Sequence, residues 1–428
     1  MEAVNQSDRR LRVLLIGRHF WPLGSFDDAG HLIDLATRLH QLGHHVEVVT
    51  PRQANTWSEQ FQFREFAIHR PLRIFRSGWT SRGDRSVGKY IKSLRDWVCE
   101  NHASADLIYC DGATEECVAA VESARKLNLP VVVRVAGFGA ASDLTSSDSR
   151  RNVRRCISAA RDADAVVVNS ASVHRRMLSE GYNDAKFCRI PIGIGRVPDS
   201  SLHDKAELRT ALAKINGDLH VFDTMSVVLS VERMCQDSGL MKLVQSARIL
   251  SERIPGLQYW MIGDGPKRDS IFSHLKGEGL RQAMAMPGSF GIIGDLFQAA
   301  DLLVHAGDDG YQSHLPQAVA HAIPLVIANT EVAREFFAVS TAEVQQEIAD
   351  GRFESGIRWF EPQRPRTLRI AIESILSDIP AAQRQSKELF KRMHSLRDEN
   401  ESLQAYVRLF RGLVQDRNNS NGHRMQGA

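Results

Sequence analysis

Three side chains in one loop carry the clearest chemistry of this chain: the carboxylate of Asp309, the imidazole of His314 and the amide of Gln317. They lie within residues 304–328, which read as an apolar strand end, a polar loop with glycine, a helix start and a second apolar strand. A loop that leaves the carboxyl end of a strand and enters a helix presents free N–H groups and the positive end of the helix dipole. That suits an anion or a sugar. A carboxylate there fits the positive charge that develops at a reacting sugar carbon. An amide can accept from a hydroxyl, and the imidazole can donate to a sugar or cap the helix start. Arg233, just past another apolar run, has the planar fork that suits phosphate.

These residues need a scaffold, and apolar runs supply it. Residues 11–17 form a short apolar strand ending in glycine. A loop with Gly24 and Ser25 follows, then Leu32, Leu35, Ala36 and Leu39 at helical spacing, then Gly43 and a second strand at 45–50. Gly24 lets backbone approach a phosphate or sugar. Further strands read at 106–110, 130–135, 164–169 and 187–190, with helices at 88–100, 113–126, 148–162 and 171–180. Glycines and prolines between 191 and 198 place a linker near 193–205. Alternation then restarts, with strands at 226–231, 257–262, 284–288, 301–305 and 324–328. The expected class is α/β, with two Rossmann-like domains facing a central cleft. The divisions are 1–195, 196–380, a helical run at 381–414 that returns toward the first domain, and a disordered tail at 415–428.

The order and spacing of several segments resemble glycosyltransferase family 4, which has the GT-B fold. They are the first strand–helix unit ending in Gly43-His44, Ala163 to Ser170, Arg233, Gly263-Asp264-Gly265-Pro266, and the loop before Pro324. The resemblance covers about residues 11–410. It implies retaining transfer of a sugar from a nucleotide-diphosphate donor to a glycan or lipid-linked acceptor, without metal or cofactor. Asp309 and Gln317 stand where the family usually carries two Glu residues, the first near the donor sugar and the second on the ribose hydroxyls. Asp309 and Arg233 are the implied catalytic groups. The donor contacts implied are Gly24, Ser25, Arg233, Gly263, Asp264, Gly265, Pro287, Gly310, Tyr311, His314, Leu315 and Gln317. Arg134, Gly137 and Gly139 fall on the acceptor side, with Asp143 a further polar candidate there, and Arg134 reads equally as a paired strand residue. Asp264 also suits a cap for the next helix. The chain departs from the pattern at Ser238, where a Lys is expected, at Gln317, and at Ala136, where many members place a His. The alternative reading is therefore a nucleotide-sugar-binding protein with impaired catalysis. A sugar-nucleotide epimerase would need acidic residues at the reacting centre that the sequence does not locate.

Composition narrows the rest. The 428 residues are 43% hydrophobic and 25% charged, with net charge +3, which disfavours a nucleic-acid module. Six cysteines without a CxxC pair argue against a zinc site and a disulfide framework, and fit a reducing cytoplasm. His44 and His45 read as surface and strand-edge residues, since no third metal ligand is in register. Met1 to Arg10 lack the apolar core of a signal peptide. No window reaches the roughly 18 apolar residues of a membrane span. Arginines at 70, 73, 76, 82 and 85 and at 150, 151, 154 and 155 could face an anionic acceptor or lipid headgroups at the inner membrane face. The plainer reading is a solvated, ion-paired surface, preferred because net charge is low.

Overall fold

The protein is described by a computed structural model covering residues 10–73, 84–137, 151–199, 202–236 and 238–426. In chain order the first half contains β1 (Arg12–Gly17), α1 (Asp27–Gln41), β2 (His45–Val49), β3 (Gln60–Phe63), β4 (Phe66–His69), α2 (Asp84–Asn101), β5 (Leu107–Asp111), α3 (Glu115–Leu127), β6 (Val131–Arg134), α4 (Arg151–Asp162), β7 (Ala165–Val168), α5 (Ala171–Ser179) and β8 (Phe187–Arg189). The second half opens with α6 (Lys205–Ile215), β9 (Ser226–Val231), α7 (Leu240–Arg253), β10 (Leu257–Ile262), α8 (Arg268–Gly277), β11 (Met284–Gly288) and α9 (Gly294–Ala299). It continues with β12 (Leu302–His305), α10 (His314–Ala320), β13 (Leu325–Ala328), α11 (Glu331–Phe337), α12 (Thr341–Asp350), β14 (Ile357–Phe360), α13 (Pro365–Leu376), α14 (Ile379–Leu396) and α15 (Glu399–Gln426).

The strands form two sheets, ordered β3-β4-β2-β1-β5-β6-β7-β8 and β11-β10-β9-β12-β13-β14. Pairing is parallel except between β3 and β4. Central strands such as β5 and β12 are buried along their whole length, which is why they read as unbroken apolar runs. Each sheet is covered on both faces, with Leu14, Ile16 and Ile108 in one core of the first and Leu15, Tyr109 and Val132 in the other. In each sheet the order reverses beside its first strand, between β1 and β5 and between β9 and β12. A crevice opens outside the carboxyl ends of strands at such a switch point. The β1 loop and the loops after β9 and β12 therefore emerge at the places where ligands bind in sheets of this kind.

Two chain passages join the sheets. One is the segment at 191–198, where Ile194 N donates to Arg397 O at 2.8 Å. The other is the break between α14 and α15 at Arg397 and Asp398. A Cβ on Gly193 would come within 2.4 Å of Glu399 Cα, so glycine is required for the two passages to touch. The single helical run expected at 381–414 is thus two helices. α14 sends Leu389 and Met393 into the core of the second sheet, whereas α15 buries Leu403, Tyr406, Val407, Phe410 and Val414 against the first.

The stretch expected to be disordered from 415 onward is helical as far as Gln426 in the structure. No proline interrupts α15, and Arg417 donates to Leu129 O at 3.2 Å, tying the polar extension to the first half. Phe410 is 0% exposed and packs at a tilt against the Tyr109 and Tyr406 rings, with centroids 5.9 and 6.0 Å away. Phe410→Ala should cost about 3–5 kcal/mol in urea unfolding. A loss below about 1 kcal/mol would mean that this part of α15 is not docked.

Candidate functional site

The centre of the cleft is a contact between its two sides. Asp27, the first residue of α1, reaches across to the loop before α10. Its carboxylate accepts from the backbone N–H of Gln312 at 3.1 Å, Ser313 at 2.7 Å and His314 at 3.1 Å. The free amides expected to face a ligand are therefore filled by the protein's own carboxylate. Beside it, Ser25 N donates to Phe290 O at 2.9 Å, and Phe290 N donates to Ser25 Oγ at 3.2 Å. Gln312 Nε2 donates to Ala136 O at 3.3 Å. A Cβ on Gly24 would fall onto the Gly291 carbonyl, so this glycine permits a loop-to-loop approach across the cleft.

Behind this contact lies a buried acidic group. Asp309 is 8% exposed, and its Oδ1 has no hydrogen-bond partner among the described residues. Burial pushes its carboxyl up to about 7, and the nearby Asp27 and Asp308 add to the rise. Glu232, just after β9, is also buried; its Oε1 accepts from Ala306 N at 3.0 Å. Burial, then Asp309, holds Glu232 well above the usual carboxylate range. Arg233, half-buried at the same strand end, lowers both Asp309 and Asp28 by its charge. Burial would raise Asp28, but His19 at 2.7 Å overrides it and Asp28 falls to about 2. The His314 ring sits beside the backbone of Val231 and Ser25, and burial lowers its pKa.

The structure brings Arg233, Asp309, His314, Gly24 and Ser25 to one end of the cleft. Gln317 lies on the next turn of α10, where its Nε2 donates to Ser313 Oγ at 2.6 Å. Gln317 also lines a cavity of about 560 Å³ bounded by α1, residues 191–198, α9, α10 and α15. Arg233, Asp309 and His314 do not line that cavity. The Tyr311 ring packs edge-on against His305 and Phe336 at 5.5 and 5.4 Å. Gly310 adopts φ +82 and leaves room for His305.

Other expected contact residues have partners of their own in the structure. Arg134 is 0% exposed; its Nε donates to Asp111 and its Nη1 to Asn169 at 3.2 Å. A guanidinium buried that deeply needs a charge partner, so Arg134 belongs to the core of the first sheet and not to the cleft surface. Leu315 has its side chain in the core of the second sheet. Asp264 does not cap α8, which starts at Arg268; it accepts from Gly265 N within its own turn at 2.7 Å. Gly263 and Gly265 let that turn lie directly on the backbone of Glu232 and Met234. Pro287 O accepts from Asn216 Nδ2 at 3.3 Å. Gly137, at φ +106, makes room for Val173. Gly139 and Asp143 lie outside the described residues, as do Arg76, Arg82 and Arg150. Arg70 is buried over the Trp57 and Phe61 rings, and Arg155 pairs with Glu122. His44 is buried too, accepting from Leu11 N at 3.1 Å.

Sequence reasoning missed Asp27 and Glu232 as cleft residues. An acid in the first turn of a helix reads as ordinary dipole compensation. Asp27 takes its partners 285 to 287 positions away, beyond any local signal.

Comparison with known proteins bears on the whole architecture. Residues 31–193 match the family model described as a glycosyl transferase 4-like domain. No curated protein matches the sequence. Among solved structures, sucrose-phosphate synthase from Thermosynechococcus elongatus aligns with TM-score 0.68 at 16% identity, covering 95% of this chain and 100% of that one. Anabaena HepE in complex with UDP and glucose aligns with TM-score 0.66 at 16% identity, covering 94% and 99%. The catalytic domain of starch synthase IV from Arabidopsis thaliana, bound to ADP and acarbose, aligns with TM-score 0.65 at 13% identity, covering 95% and 100%. Identities this low speak for the fold. Among the described residues, no helix is long and apolar enough to cross a membrane.

Proposed function

We propose that this chain, which has the GT-B fold and carries a glycosyl transferase 4-like domain in its first half, transfers a sugar from a nucleotide-diphosphate donor to a glycan or lipid-linked acceptor. One observation carries the reading: Arg233 and Asp309 converge at the switch point of the second sheet. Arg233 meets the diphosphate charge as the nucleotide leaves. Asp309 sits where positive charge develops at the sugar carbon, and Gln317 holds the ribose by hydrogen bonds. The cavity that Gln317 lines, about 560 Å³, lies within the usual range for a small-ligand pocket. Transfer with retention, without a metal in the cleft, is the expectation carried by the family resemblance. So is a role in cell-surface polysaccharide or glycoconjugate synthesis, in the cytoplasm and at the inner membrane face.

A second reading has its own observation. Asp27 fills the three amides before α10. Ser238, at the expected Lys position, turns its hydroxyl back to Cys235 O at 2.9 Å. Both features suit a protein that binds a nucleotide sugar and turns it over poorly. A donor-hydrolysis and binding screen across nucleotide sugars separates the two: turnover supports the transferase, and binding alone supports the impaired protein. Arg233→Ala should weaken nucleotide-sugar binding by about 1.5–3 kcal/mol, the range for a hydrogen bond to a charged group. Unchanged affinity by calorimetry rejects Arg233 as the phosphate contact.

A further inference from the structure

A second cluster of chemistry-bearing side chains lies away from the cleft, on the α2 side of the first sheet. Glu47 is in the middle of β2, His69 ends β4, and His102 follows α2. Their donor atoms all lie within 4.8 Å of one another. His69 Nε2 is 2.8 Å from Glu47 Oε2, and His102 Nδ1 is 3.8 Å from the same oxygen.

The His102 ring is the informative member. It is 5% exposed. Its Nδ1 is too far from Glu47 for a hydrogen bond. Its Nε2 has no partner among the described residues. A buried ring with an unpartnered Nε2, and with Nδ1 turned toward Glu47 beyond hydrogen-bond reach, calls for an explanation.

We propose that Glu47, His69 and His102 form a binding site for a divalent transition metal of the zinc class. Zinc lies about 2.0–2.2 Å from histidine nitrogen or carboxylate oxygen, so neighbouring ligands around a tetrahedral ion sit about 3.3 Å apart. The separations of 2.8 and 3.8 Å bracket that value, and small side-chain rotations equalise them. Two imidazoles and one carboxylate suit zinc and its first-row neighbours better than magnesium or calcium, which take oxygen ligands. A cavity of about 10 Å³ lined by His45, Glu47, His102 and Ser104, enough for about one water, adjoins the cluster and would leave room for a fourth ligand. Alternatively His45, exposed and with its Nδ1 3.8 Å from Glu47 Oε1, swings in to fill it. The site joins β2, β4 and the turn after α2, so a bound ion would staple the edge hairpin to the sheet. This role is independent of the proposed transfer reaction.

The test uses the full chain without an affinity tag, with zinc and cobalt(II) as probes. Calorimetry should show one zinc equivalent per chain. Cobalt(II) should give the visible absorption of a tetrahedral site. Glu47→Gln, His69→Gln and His102→Gln keep hydrogen-bonding capacity and should each weaken zinc binding about tenfold or more. They should also abolish the rise in melting temperature that zinc produces in the wild type. The exposed His220→Ala should change neither. Absence of a stoichiometric zinc site in the wild type overturns the proposal. So does wild-type affinity in the folded variants, which would leave a hydrogen-bonded pair and an idle imidazole. If one variant fails to fold, the other two and the wild-type cobalt spectrum decide.

Discussion

Asp309→Asn should leave the chain folded, make it more stable than the wild type at pH 8, and remove sugar transfer. The stability half follows from burial. Asp309 is pushed from 3.8 up to about 7. Its folded-state pKa thus lies above its unfolded value, so the folded chain binds more protons between about pH 4 and 7. Stability falls as pH rises through that window, and the full penalty is present above it. The gap corresponds to at most about 4 kcal/mol. Asparagine has the same shape and no charge to desolvate. Urea unfolding at pH 5 and pH 8 should show the variant's advantage growing with pH; an advantage independent of pH would show that Asp309 is not the titrating group. The activity half follows from the transferase reading. Losing a preorganised charge at the reacting centre costs on the order of 10²–10³ in rate. If transfer is untouched by Asp309→Asn, the loop is not used in this way and the binding-only reading moves ahead.

Most of the parallel framework was legible because buried parallel strands are apolar throughout. β1, β2 and β9 to β13 fall within a residue or two of their expected bounds. The β3–β4 hairpin was not. Its turn is Arg64-Glu65, with φ +47 and +76, a conformation that normally announces itself as Asn-Gly or Gly-Gly. The edge strand β3 alternates exposed and half-buried residues and β4 alternates buried and half-buried ones, so no unbroken apolar run marks either. β14 is a four-residue strand after Gly356, too short for periodicity to declare. In the cleft, Asp309, His314 and Gln317 could be singled out because they lie close together in the sequence. Asp27 and the Glu47, His69 and His102 group were not, because their partners come from other elements and only the fold sets the distances. For Arg134 the sequence left two readings open, a cleft residue and a paired strand residue, and the structure shows the pairing. A strand-end arginine looks the same in sequence whether it faces a cleft or pairs with an acid on the next strand, as it does here with Asp111.

Asp27→Ala should loosen the cleft. The carboxylate spans the two sides and takes three N–H donors at 2.7–3.1 Å. Alanine leaves the amides of Gln312, Ser313 and His314 without their acceptor, and the expected loss is about 1.5–3 kcal/mol of stability. Loop contacts at Ser25–Phe290 and Gln312–Ala136 remain, and on the α5 side Glu335 still accepts from Ser172 N at 3.0 Å. The variant should therefore unfold in one transition while the spin-label distance between α1 and α10 lengthens and broadens. An unchanged distance would reject Asp27 as the clamp. The same variant also discriminates between the two functional readings. A donor diphosphate carries the charge that Asp27 now places at these amides, so the two compete for the same dipoles. Removing Asp27 should then raise nucleotide-diphosphate affinity by up to about tenfold, or 1.4 kcal/mol. Asp27→Asn, with the shape kept and the charge gone, should fall between wild type and alanine. If the cleft opens and affinity does not rise, the anion sits elsewhere. The carboxylate then acts as a permanent bolt between the sheets, as a protein that binds without transferring could retain.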